Sequence, residues 1–467
     1  MIQVQVRRRR VFVRVLVAGL LVICAGVYAQ EQLALNNSLF LTGALRGDDN
    51  SAFGVNYNFV VYPKLSAAWV VSDAGFFHRS NLLSTLKLRA AWGSAGQQPN
   101  SFAAVQTYGP SVGSGGTPTV TPLNVGNPDL KPEVTREIEA GFDASLFRDR
   151  LTLEATYYNK VTRDGIFSAL SSPSSGFPGN RFINIGRFTN HGFELAVDGS
   201  PIDRERFRLH MRATLATNHN KIDVLGQDTP IPNTGVGQLV GAYNVAGFPM
   251  GSFFMKRVVS ATLVSPGEVT NVMCEGGTSF GHGDGSAVPC ADAPLIFRGN
   301  PTPTWLSALS ADISWRRWSL VGVAEFQGGH WMVDGNIGAA HIFFTDSKAA
   351  VEQTDPIFVA YAQQGAFGPT GLMKAGFGKL RNLSLTYELP TRVAGIVGAS
   401  RGSVTLTGAN LATLWRAQSG TFGTRSVDSE VRINNTTFYG DPNLTNGYNQ
   451  ESWPQFRRFL ATVRLAF

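Results

Sequence analysis

At 467 residues the chain is longer than a single small module. Glycine (51) and phenylalanine (31) are both abundant, charged residues make up only 16%, and mean hydropathy is −0.02, which excludes a disordered chain and fits an ordinary helical enzyme poorly. The net charge of +7 is concentrated at the start, in Arg7 to Arg10 and Arg14. The rest is nearly balanced and carries no basic stripe interleaved with aromatics, which argues against nucleic acid as a partner.

Residues 1–30 read as an export signal: a cationic Arg7 to Arg10, an apolar run from Val15 to Cys24, and a small-residue cleavage pattern at Val27-Tyr28-Ala29. An anchoring helix is the weaker reading, because the apolar run after Arg14 is about 15 residues and a span needs about 20. Beyond residue 30 no apolar stretch approaches spanning length, so a membrane role requires a barrel.

From there the dominant signal has period two. In 86–92, Leu86, Leu88, Ala90 and Trp92 alternate with Lys87 and Arg89. In 135–146, Ile138, Ala140, Phe142, Ala144 and Leu146 oppose Glu137, Glu139 and Asp143, and 150–162 repeats the pattern with Leu151, Leu153, Ala155 and Tyr157. Segments 206–217, 305–315, 383–389 and 456–467 follow suit, the last with Phe459, Ala461, Val463, Leu465 and Phe467 against Arg458, Thr462 and Arg464. The count is about thirteen strands, many of ten residues or more, longer than soluble sandwich strands. An apolar face of uniform character opposite isolated Arg and Glu predicts an all-β, antiparallel transmembrane β-barrel, outside to lipid and lumen to water.

The connections alternate in length. Tight turns are expected at 147–150 and 201–204, and long Gly-, Ser- and Pro-rich loops at 97–126, 223–251, 266–303, 328–371 and 418–453, as in a barrel with short turns at one end and long loops at the other. Aromatic pairs near strand ends, Tyr57 with Tyr62, Tyr157 with Tyr158, Trp315 with Trp318 and Phe438 with Tyr439, would suit girdles at the lipid–water interfaces. No repeat of fixed period argues for a propeller or solenoid.

Chemical motifs are sparse. Gly109-Pro110-Ser111-Val112-Gly113 matches G-x-S-x-G but lies in a loop without the strand–turn–helix that a nucleophile elbow needs. The seven histidines form no paired ligand spacing, and Glu137 and Glu139 read as a solvated wall before they read as an acid and base. We therefore expect no enzymatic activity and no cofactor. Cys274 and Cys290 are read as a loop disulfide in an oxidising compartment, with a metal site beside His282 and Asp284 as the alternative. Trp331, Tyr361 and Tyr448, in the long loops, are candidates to stack on a sugar ring or to pack.

Several stretches together resemble the C-terminal barrel of TonB-dependent outer-membrane receptors, in the SusC/RagA-like branch. They include Leu39-Phe40-Leu41-Thr42-Gly43, Leu86-Lys87-Leu88-Arg89-Ala90-Ala91-Trp92-Gly93, Asn127-Pro128-Asp129-Leu130-Lys131-Pro132-Glu133 and Asn190-His191-Gly192-Phe193-Glu194. Further on come Gly299-Asn300-Pro301-Thr302-Pro303, Lys379-Leu380-Arg381-Asn382-Leu383 and Gly408-Ala409-Asn410-Leu411. The terminal Phe467 on an alternating strand resembles the signal read by the outer-membrane assembly machinery.

The resemblance implies uptake of a glycan, peptide or other nutrient at the outer membrane of a Gram-negative-type bacterium. It also implies a surface lipoprotein partner, and TonB only where a plug is supplied. The sequence departs from the family pattern, with no recognisable plug or TonB box and too few strands for the family barrel of about twenty-two. Gly26 to Leu33 itself resembles a barrel strand pairing with Leu39 to Leu45. The expected division is thus 1–25, signal-like or a misread start, and 26–467, the C-terminal part of a receptor-like barrel in a truncated chain. A complete, smaller passive porin or adhesin is the alternative.

Overall fold

The computed structural model describes residues 4–6, 24–56, 59–170, 174, 176–177, 180–184, 186–233, 240–417, 422, 426, 428–430, 448–449 and 454–467. Residues 7–23, on which the export-signal reading falls, lie outside the described residues, as do Tyr57, Phe438 and Tyr439. The chain forms two compact units, Met1–Asp149 with Leu153–Phe193 and His219–Thr229, and Arg150–Thr152 with Glu194–Asn218 and Pro230–Phe467.

In the first unit, strands Cys24–Leu35, Leu39–Asn50, Val60–Val70, Leu83–Gln97, Glu133–Leu146 and Leu151–Arg163 follow one another in chain order. The first pair runs antiparallel from Cys24↔Asn50 to Leu35↔Leu39, so the expected partner of Leu39 to Leu45 is in place, with Leu33 opposite Leu41 and Ala29 opposite Leu45. The turn closes because Asn36 and Asn37 accept φ of 50° and 52°, a left-handed conformation that Asn tolerates far better than branched residues.

Pairing in register sorts the side chains into two faces. One carries the rows Ala44–Lys64–Gly93–Glu137 and Thr42–Ser66–Ala91–Glu139; the other carries Leu65–Trp92–Ile138 and Trp69–Leu88–Phe142. Within this unit the first half of strand Arg187–Arg204 also pairs with His219–Val224, from His191↔His219.

In the second unit, the remainder of Arg187–Arg204 pairs with Phe207–Thr217, followed by Trp305–Trp315, Trp318–Gly328, Phe377–Glu388, Arg401–Arg416 and Arg458–Ala466, all antiparallel. The turn expected at 201–204 falls instead after Arg204, which pairs with Phe207. Pro201 lies where the register shifts between Gly199 and Ile202. A bulge accommodates a residue with no N–H to give the ladder, so the proline kinks the strand without ending it.

The strands enclose almost no apolar core. On the last strand Phe459 is 78% exposed and Val463 63%. In water each would forgo roughly 1.5–3 kcal/mol of burial, a loss that a lipid environment removes. No helix among the described residues is long and apolar enough to cross a membrane, which leaves crossing by strands untouched.

The buried core of the second unit lies in its long connections, which correct the expectation of plain loops. Residues 328–371 hold helices Gly335–Ile342, Lys348–Glu352, Pro356–Gln363 and Phe367–Gly371. Three of them begin at side-chain caps. Asp334 accepts from the N–H groups of Asn336 and Ile337, Ser347 from Ala350, and Asp355 from Ile357 and Phe358, with Pro356 in the first turn. They pack over a sheet of Ile231–Pro232, Ala242–Asn244, Ser252–Met255 and Ile296–Gly299, and over the hairpin Val258–Ser265 with Glu268–Glu275.

Candidate functional site

On the polar face of the first unit a recess of about 550 Å³ is lined by Gln30, Thr42, Lys64, Ser66, Glu137, Glu139 and Lys160 among others. Strand alternation places these groups together: Thr42, Ser66 and Glu139 fall in one cross-strand row with Ala91, and Lys64 and Glu137 in the next with Ala44 and Gly93. Small residues at Ala44, Ala91 and Gly93 leave the space. Two rows further, Asp143 neutralises Lys87 opposite it at 3.2 Å and Arg89 of the intervening row at 2.9 Å, and Arg89 also donates to Thr156 Oγ1 at 2.8 Å.

Lys160 interacts electrostatically with Glu133, whereas Lys64, Glu137 and Glu139 make no ion pair among the described residues. Their charges are therefore offered to whatever fills the recess, suiting hydrogen bonding to a polar solute. The recess falls within the size range of small-ligand sites. Behind the same strands, a larger apolar hollow of about 660 Å³ is lined by Leu33, Leu41, Leu65, Trp92 and Ile138. It opens on the apolar face, and acyl chains are its natural occupant.

In the second unit, charges brought from distant segments meet at the start of strand Phe377–Glu388. Lys379 Nζ donates to both carboxylate oxygens of Asp428, at 2.7 and 2.8 Å, and to Glu430 Oε2 at 2.7 Å. Arg381 forks onto Glu430 and reaches Glu325 at 2.6 Å. Burial works to raise the Glu430 carboxyl, and the hydrogen bonds from Arg381 and Lys379 overcome it, leaving its pKa below the usual value. Arg381 and Lys379 thereby tie the 428–430 segment to the strand.

His341 is buried, with Nδ1 2.7 Å from Ser347 Oγ and its ring edge-on to Phe358 and Phe422. Desolvation pushes its pKa below the usual histidine value, against a weaker pull upward from Asp346.

The residues singled out in the sequence are distributed as follows. Cys274 and Cys290 are joined as a disulfide with Cα atoms 4.7 Å apart, and no group of three metal-ligating side chains gathers among the described residues. Ser111 sits in a hairpin, Thr107–Val112 with Pro118–Asn124, opposite Thr119. Phe467 is exposed directly after the last strand.

Tyr361 and Tyr448 correct the stacking alternative. They are 4% and 2% exposed and belong to separate apolar clusters, while Trp331 packs against the cluster of Tyr448. Tyr361 Oη accepts the N–H of Val258 at 2.9 Å, which explains an aromatic with a polar tip inside the core. The ion cluster of Lys379, Arg381, Asp428 and Glu430 had no signal in the sequence beyond its residue types.

A two-faced antiparallel sheet, apolar on one face and charged on the other, with folded long connections, is the pattern of a membrane β-barrel wall. The family description "TonB dependent receptor-like, beta-barrel" matches residues 22–411, and the chain belongs to that family. It is 25% identical over 470 residues to TonB-dependent receptor P26 of Formosa agariphila, covering 95% of this chain and 46% of that protein. It is 28% identical over 211 residues to TonB-dependent receptor SusC of Bacteroides thetaiotaomicron, covering 42% and 20%.

Its fold is also that of a chain in the structure of the RagAB peptide importer in the closed-closed state, with a TM-score of 0.76 at 20% identity over 96% of this chain and 48% of that one. The chain thus spans about half the length of the relatives that match it end to end. Its family places it in the outer membrane, with the apolar face toward lipid.

Proposed function

We propose that the chain supplies barrel wall to an outer-membrane importer of a nutrient such as a glycan or peptide. The observation that carries this reading is the polar recess on the charged face of a transporter-family barrel, where Lys64, Glu137 and Glu139 lie without ion pairs beside neutralised charges. Import in this reading draws on a surface lipoprotein and on TonB acting through a plug, and calls on no catalysis. SusC and the RagAB peptide importer, similar to this chain, support the transport class. Phe467 acts in assembly, as the C-terminal aromatic recognised by the outer-membrane assembly machinery.

The test is growth of the native host, with and without the gene, on a panel of glycans and peptides as sole nutrient. Loss of growth on one nutrient, reproduced by disabling TonB, supports the importer. Unchanged growth on every nutrient, together with open-channel currents from the purified chain in a planar bilayer, would replace it with a passive pore.

A further inference from the structure

At the short-turn end of the second unit the apolar face closes on one cross-strand row. Arg204 pairs with Phe207, Phe207 with Trp315, Trp315 with Trp318 and Trp318 with Tyr387. Alternation puts Arg204 on the apolar face, two residues beyond Ile202, which stands opposite Leu209. Trp315 and Trp318 are exposed, and Trp318 leans on Tyr387 with ring centroids 4.5 Å apart. Amphipathic rings at the end of an apolar band belong at the level of lipid headgroups.

Beyond this row the chain turns, and neighbouring turns are tied together. The Arg316 N–H donates to Arg206 O at 3.0 Å, and the Glu388 N–H to Arg317 O at 2.9 Å. The rim so joined carries Arg204, Arg206, Arg316 and Arg317, all exposed and without an ion pair among the described residues. Of the carboxylates nearby, Asp203 and Glu388 belong to the polar face, opposite Arg208 and Ser403, which leaves Glu205 in the turn.

The two faces differ in how their cations are treated. On the polar face Asp203 holds Arg208 at 2.9 Å. Toward the apolar face Arg204 is left open, and the Arg316 guanidinium lies 5.6 Å from the centroid of the exposed Trp315 ring. Arg316 also holds φ at 55°, a left-handed conformation that a two-residue turn ordinarily gives to Gly or Asn. Either would ease the backbone, and neither would supply a charge.

A guanidinium at headgroup depth finds its planar, bidentate match in a phosphate. A soluble anion fits less well. It would leave the two tryptophans in water, together with Val393, Ile396 and Val397, exposed apolar side chains of the next connection at this end.

We propose that this rim binds anionic phospholipid, with Arg204 and Arg316 holding headgroup phosphate and Trp315 and Trp318 lying along the adjoining acyl chains. The site goes beyond the importer reading and stands without it, since it needs only the membrane placement of the family.

The experiment is native mass spectrometry of the full chain, released from detergent micelles after titration with phosphatidylglycerol, with phosphatidylcholine, and with soluble glycerol 3-phosphate. Phosphatidylglycerol is expected to bind about tenfold or more tightly than phosphatidylcholine. Arg204→Gln and Arg316→Gln should each weaken it by about fivefold, and the double variant by about twentyfold, to the level of phosphatidylcholine. Should the double variant not fold, the single variants decide. Arg204→Lys with Arg316→Lys, which keeps both charges, is expected to retain most of the preference, and Arg208→Gln, which removes a cation already neutralised on the polar face, to leave it intact.

Equal binding of the two lipids, an undiminished preference in both glutamine variants, or an equal loss in Arg208→Gln would each overturn the proposal. Displacement of phosphatidylglycerol by glycerol 3-phosphate would make the rim a site for a soluble anion and overturn the lipid assignment.

Discussion

Lys379 Nζ lies 2.7 Å from Asp428 Oδ1 and 2.8 Å from Oδ2, with both side chains about nine-tenths buried, although 49 residues separate them in the chain. Charges taken this far out of water persist only when paired, and Glu430 Oε2 at 2.7 Å is a second partner of Lys379. Lys379→Ala should therefore leave the buried Asp428 carboxylate without its cation and cost about 3–5 kcal/mol in unfolding of the micelle-bound chain, and Asp428→Ala should cost less, because Lys379 keeps Glu430 Oε2 at 2.7 Å. The double variant Lys379→Met with Asp428→Leu should recover most of that loss, since no charge is left unpaired. Additive losses in the double variant would show that the two residues act independently.

The depressed pKa of His341 sets a pH window for the helical connection of residues 328–371. Its folded value lies below the ordinary 6.5, so the unfolded chain takes up a proton first as pH falls. The stability contributed by keeping the ring neutral is full above the unfolded value and declines from about pH 6.5 down to the folded value. Hydrogen exchange of helices Gly335–Ile342 and Pro356–Gln363 should accelerate across that range. His341→Gln, which keeps a hydrogen-bonding group near Ser347, should flatten the dependence; an unchanged profile would assign it to another group.

The two faces of the last strands should respond oppositely to the same charge. Val463 stands opposite Val404 on the apolar face, whereas Thr462 stands opposite Thr405, which shares a hydrogen bond of 2.9 Å with Thr386. Val463→Arg should cost about 2–4 kcal/mol in folding into lipid vesicles if it lies near the midplane, and Thr462→Arg less than about 1 kcal/mol. Equal costs would contradict the assignment of lipid and lumen.

Deletion of Phe467 tests its proposed role in assembly. The residue is 84% exposed and caps no core, so its loss should leave refolding in detergent unaltered. The outer-membrane level of the chain in cells should fall several-fold. A normal level would remove the assembly role and leave an ordinary strand end.

Much of the fold was legible because alternation is written within single segments. In 206–217 the order Phe207, Leu209, Met211 against Arg206, Arg208, Arg212 dictates two faces whatever lies beside the strand, and Leu209 and Met211 do pair with Ile313 and Ala311 on one face. The helices of 335–371 were missed because their faces do not alternate with the helical period. Gly335–Ile342 buries Gly335, Gly338, Ala339 and His341, small or polar residues that show no apolar stripe. Their signal lay in the caps, Asp334, Ser347 and Asp355-Pro356, each ahead of a helix start.

Composition and period by themselves determined that this chain is built of two-faced β-strands with long connections, because the side-chain direction of a strand is a local property of its backbone. The tertiary structure alone decided which charges meet and which aromatics are hidden. Lys379 finds Asp428, and Tyr361 and Tyr448 are buried. Those outcomes depend on segments far apart in the chain closing on one another, and burial and charge pairing are set by what arrives from elsewhere.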